Sequence, residues 1–105
     1  MKISNKVKIG GYTYAVERPD EPFVASGNVV CDGVHIFNEQ LIKVAKSGSS
    51  AYQETVFLHE ICHAIIASYC SEECYDEEKF VEQFSKGLYQ VITDNPEIFN
   101  NSSSV

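Results

Sequence analysis

The chain has 105 residues, enough for one hydrophobic core and too few for a second domain. Its formal charge is −7 with no Lys/Arg cluster to offset it, which argues against binding a nucleic-acid backbone. No apolar run approaches the length of a membrane span, and the opening MKISNKVKIGG lacks the apolar stretch of a secretory signal. A cytoplasmic chain with its four cysteines reduced is therefore expected.

The first half reads as strands. In VKIGGYTYAVE, a Gly10-Gly11 turn pairs Ile9 with Tyr12. Val7, Ile9, Tyr12, Tyr14 and Val16 then share one face, and Lys6, Lys8, Thr13 and Glu17 the other. The prolines of ERPDEPF make a loop. In NVVCDGVHIFNE, Asp32-Gly33 predicts a second hairpin in which Val29 and Cys31 face Val34 and Ile36. The next stretch, NEQLIKVAKSGSS, fits a short helix or a strand around Leu41 to Ala45, followed by a loop.

The second half reads as two helices. Ser50 opens a capping box with Gln53, so a helix is expected from about Ala51 to Tyr69. Its apolar residues (Val56, Phe57, Leu58, Ile61, Ile65, Ile66) lie nearly all round, which predicts burial. After the polar break CSEECYDEE, a helix from about Asp76 to Thr93 carries the stripe Val81, Phe84, Leu88 and Val91. Asn95-Pro96 stops it, giving a single domain over 1–95 and a polar tail over 96–105. Cys70 and Cys74 read as two thiols at a helix end, and Cys62 as a small buried side chain.

The chemistry sits in TVFLHEICHAIIASYC. His59 and His63 are four apart, so on a helix both imidazoles reach one ion from the same face. Zinc takes imidazole nitrogen well and in catalytic sites keeps three protein ligands. Glu60 lies about 100° around the helix from His59, beside such an ion, where a general base for the attacking water belongs. The alternative is a pair of core histidines, which would leave two polar rings without partners in an apolar element. The longer H-E-x-x-H-x-x-G-x-x-H pattern is absent, so the third ligand comes from elsewhere.

Candidates are His35 and the acidic residues Glu72, Glu73, Asp76, Glu77, Glu78 and Glu82. Glu72, Glu73 and Glu77 suit a helix start, where acids complement the dipole. Glu78 and Glu82 share a helix face, so one could ligate zinc while the other accepts an imidazole N–H. Tyr89 is on the same face, about 16 Å further along, and is expected to pack its ring under the sheet, away from the chemistry.

QETVFLHEICHAI followed by EEKFVEQFSKGLYQVITDNPE resembles the small phage- and prophage-encoded zinc metallopeptidase-like proteins related to the ImmA/IrrE group of zincins. The resemblance covers the two helices and more loosely the strands before them. Glutamate zincins open the second helix with E-x-x-x-D/E-x-F/L-small, matched here by Glu78, Glu82, Phe84 and Ser85. It implies that Glu78 is the third zinc ligand and that Glu82 holds a ligand histidine.

The expected fold is α+β and zincin-like: a small antiparallel sheet packed on a buried HExxH helix and a second C-terminal helix. The expected activity is zinc-dependent hydrolysis of a peptide or protein substrate, with Glu60 as general base and His59, His63 and Glu78 holding Zn2+. The substrate would extend along the strand of Val34 to Phe37, which brings His35 near the cleft. The first alternative is a non-catalytic zinc-binding phage-type protein that engages a host protein. The second is a structural metal domain closed by Cys70 or Cys74.

Overall fold

The computed structural model describes residues 1–71 and 76–100, and of Ser26 the backbone alone. The strands are β1 (Lys6–Ile9), β2 (Tyr12–Glu17), β3 (Phe23–Ser26), β4 (Val29–Cys31), β5 (Gly33–Ile36) and β6 (Leu41–Val44). The helices are α1 (Ser50–Tyr69), α2 (Glu77–Asp94) and the short α3 (Pro96–Phe99). Four strands form one sheet in the order β1-β2-β6-β5, and β3-β4 form a separate two-stranded ribbon. Among the described residues no helix is long and apolar enough to cross a membrane.

The first hairpin follows its sequence: Val7 pairs with Tyr14 and Ile9 with Tyr12 across the turn, where Gly10 takes φ +64°. Val7, Ile9, Tyr14 and Val16 are buried, while Tyr12 at the turn is 47% exposed. The sheet is mixed rather than antiparallel. β6, built from the segment that sequence left open between helix and strand, lies parallel to β2, with Val16 opposite Ile42.

The expected Asp32-Gly33 hairpin does not form. β4 turns back on β3 through Gly27, which takes φ +59°, and β5 pairs instead with β6, His35 opposite Ile42. Val44 and Ile42 of β6 lie in the core, so the burial of that strand outweighs a local turn preference.

Both long helices cover the same sheet face. α1 contributes Phe57, Ile61, Ala64 and Ile65, and α2 contributes Val91. The helices meet at Gly87, where an added Cβ would stand 2.6 Å from the Tyr69 ring and 2.7 Å from Ile65 Cγ2. α1 is not buried all round: Leu58 and Ile66 are exposed, because only one side of the helix faces the sheet. Its cap is Ser49, one residue before the expected Ser50. The Ser49 hydroxyl accepts from Tyr52 N, and Gln53 donates to Gly48 O rather than closing a capping box.

α2 starts on Asp76, whose carboxylate accepts from Glu78 N. Val81 on the outer end of its stripe is 50% exposed, and the Tyr89 ring is 73% exposed rather than packed under the sheet. Residues 96–100, expected to belong to the tail, are part of the fold: Pro96 opens α3, Ile98 is fully buried, and Lys2 N donates to Ile98 O at 3.0 Å. Asn95, 1% exposed, accepts from Lys8 N and donates to Lys8 O and Val91 O, each at 2.8 Å. Beside it Gln90 accepts from Gly10 N at 2.9 Å and donates to Lys8 O at 3.1 Å. The expectations for Glu72, Glu73 and Cys74 fall outside the described residues.

Candidate active site

His59, Glu60 and His63 lie mid-way along α1 on the side turned from the core toward β5. The two imidazoles are exposed, with Nε2 atoms 3.1 Å apart and rings nearly perpendicular at 75°. Two neutral imidazoles can share a proton at this distance, and two nitrogen lone pairs can equally converge on one cation. Nitrogens at about 2.0–2.1 Å from a tetrahedral zinc stand about 3.3 Å from each other, so the pair fits that ion.

Glu60 is buried, 7% exposed, in the seam between α1 and the start of β5. Among the described residues no donor hydrogen-bonds its carboxylate. Burial raises its pKa above the usual carboxylate range, and His59 and His63 pull it part of the way back. Gly33 makes this seating possible: a Cβ there would lie 2.6 Å from Val56 Cγ1 and 3.0 Å from Glu60 Oε2.

Two cavities meet at Gly33, His59 and Glu60. One, of about 360 Å³, is completed by Val34, His35 and His63. The other, of about 400 Å³, is completed by Asp32, Tyr52, Thr55 and Val56. Together they make a cleft between α1 and β5. His35 is half-buried at its far end, and its Nε2 shares a 3.2 Å hydrogen bond with the buried Tyr14 hydroxyl. Burial, and then the nearby His63, lower the His35 pKa.

β5 is the last strand of the sheet, and its outer edge borders this cleft. Asp32 O accepts from Ala45 N at 2.8 Å, so by the alternation of an antiparallel ladder Val34 and Ile36 bond to β6 while the amides of Gly33 and His35 face outward. Among the described residues none of the other hydrogen bonds reaches those outward groups.

The structure thus brings His59, Glu60 and His63 together and sets His35 beside them. It does not bring Glu78 or Glu82 to them. Among the described residues no cluster of three His, Cys, Asp or Glu side chains surrounds a common point. Glu78 stands exposed in the first turn of α2, and the Glu82 carboxylate pairs with Lys86 Nζ at 3.5 Å, one turn along the same exposed flank.

Sequence reading did not single out Tyr52, Thr55, Val56 and Asp32 as cleft residues. The first three were findable, since positions 52, 55/56, 59 and 63 form one helical stripe. Asp32 joins them only through the tertiary fold. Protein-family models, curated proteins and solved structures yield no match to this chain, so the reading of the cleft rests on its own residues.

Proposed function

We propose that the chain is a zinc-dependent metallopeptidase. The observation that carries this reading is the convergence of the His59 and His63 Nε2 atoms, 3.1 Å apart, beside a buried glutamate and an open strand edge. His59 and His63 hold the metal. Glu78 is assigned as the third ligand, and Glu82 as the partner of a ligand imidazole, from the helical pattern of the family the sequence resembles. Glu82 would leave its exposed pairing with Lys86, a contact worth little at the surface.

Zinc, when bound, supplies Lewis acidity toward a carbonyl oxygen and a water. The remaining work belongs to side chains. The Glu60 carboxylate takes a proton from the attacking water and returns it to the leaving amine. Gly33 leaves space for that carboxylate against β5. The outward amides of Gly33 and His35 hold an extended peptide by strand addition, fixing the scissile bond over the helix.

Elemental analysis of protein purified without added metal should give one zinc per chain, lost in the His59→Ala/His63→Ala variant. Equal zinc in that variant would remove the site. A peptide library read by mass spectrometry should be cut by the zinc-loaded chain. Glu60→Gln should lower that cleavage by roughly 10²- to 10⁴-fold while keeping the zinc. Zinc binding with no cleavage at all would leave a metal-holding protein that is not a peptidase.

A further inference from the structure

The cavity on the Tyr52 side of Glu60 has a chemistry of its own. Asp32 forms one wall, at the corner where β4 passes into β5. Its carboxylate accepts the Tyr52 hydroxyl proton, and among the described residues no Lys, Arg or His nitrogen pairs with it. The Thr55 hydroxyl is directed to helix carbonyls, 2.8 Å from both Ala51 O and Tyr52 O.

The protons of both hydroxyls are therefore spent inside the protein. The side-chain oxygens of Asp32, Tyr52 and Thr55 have only lone pairs left to offer, and the Glu60 carboxylate next to them is likewise an acceptor. Val56 and the Tyr52 ring add apolar and aromatic surface between these oxygens. Two side chains answer such a lining: lysine with three N–H donors and no acceptor, and arginine with five. Their aliphatic stems can lie on Val56 and the Tyr52 ring while the cation reaches Asp32. The chain's net charge of −7 raises the local concentration of cationic ligands. An apolar side chain would bring no donor to these acceptors, a neutral polar one would bring a donor without charge to meet Asp32, and an acidic one would oppose the carboxylates.

We propose that the cavity formed by Asp32, Tyr52, Thr55 and Val56 binds a lysine or arginine side chain of the substrate, next to the bond placed over Glu60. The word substrate rests on the peptidase reading, whereas recognition of a basic side chain can be measured without it. Two blocked pentapeptides, acetyl-Ala-Ala-Arg-Ala-Ala-amide and its citrulline counterpart, differ by the arginine charge in nearly the same shape. Titrated into the isotopically labelled protein, the arginine peptide should bind roughly tenfold tighter or more, with the largest amide shifts at Gly33, Tyr52 and Val56.

Asp32→Asn keeps the shape and the acceptor for Tyr52, and should bring the two peptides within about twofold of each other. Thr55→Lys, at an exposed helix position, puts a resident ammonium in the cavity and should also erase the preference; it guards against a folding defect in Asp32→Asn. Equal affinities in the parent chain, a preference that survives either substitution, or shifts centred elsewhere would each overturn the proposal. Cleavage of both peptides without binding preference would sink the cavity and leave the peptidase. Arginine-selective binding at Asp32 by a chain that cuts nothing in the peptide library would sustain the cavity and sink the peptidase.

Discussion

At the β1 edge of the sheet, the side-chain amides of Asn95 and Gln90 meet the outward backbone groups of Lys8 and Gly10, as a fifth strand would. At the β5 edge, 33–36, the outward groups of Gly33 and His35 have no such cover among the described residues. An unpaired edge invites association with any extended chain, and folded proteins usually block it. Here one edge is blocked by two side-chain amides, of which Asn95 is buried, and the other borders the cleft that holds a buried glutamate and two converging imidazoles. The contrast separates an edge covered by the protein's own side chains from one left open beside the cleft.

Removing the cover at β1 is expected to have the largest effect on stability. Asn95→Ala removes the partner of the Lys8 amide and of the Val91 carbonyl and leaves the Lys8 carbonyl to Gln90 alone, and should cost about 2–4 kcal/mol in urea denaturation. Zinc content and peptide affinity should not change, and a change in either would mean that the two edges are coupled. Gly33→Ala tests the open edge. Its methyl presses on Val56 and Glu60, so a loss of about 1–3 kcal/mol is expected, together with slower cleavage because the carboxylate is displaced. Unchanged cleavage would place Glu60 outside the chemistry. Tyr89→Phe, at a residue 73% exposed, should stay within about 0.5 kcal/mol and leave cleavage as it was.

Local signals carried some elements and failed at others for identifiable reasons. The Gly10-Gly11 hairpin was legible because a two-residue turn and strict alternation act within a dozen residues. The HExxH face of α1 was legible because i, i+4 spacing is a property of any helix. Asp32-Gly33 misled because its turn preference competed with the pairing of β5 to β6, which joins Gly33 to Val44. The parallel pairing of β2 with β6 joins residues about two dozen positions apart and leaves no local periodicity. The exposed side of α1 was misread because apolar residues such as Leu58 and Ile66 flank the histidines on a side that none of the described elements covers. Glu78 and Glu82 were read from a shared helix face and from the pattern of the family the sequence resembles, and both fix a face of α2 without fixing what that face meets.

The bonds between Lys8 and Asn95 have a kinetic consequence. They join positions 87 apart in sequence, and the Gln90 contact to Gly10 joins positions 80 apart. A contact of that range cannot help early collapse, because the whole intervening loop must be closed before it forms. On a ribosome the β1-β2 hairpin would emerge first and keep its outer edge bare until α2 had left the exit tunnel. During that interval the nascent chain carries one open edge more than the folded chain, and is more exposed to mispairing with a neighbour. Docking of α2 covers the β1 edge, while the edge beside the cleft stays open among the described residues.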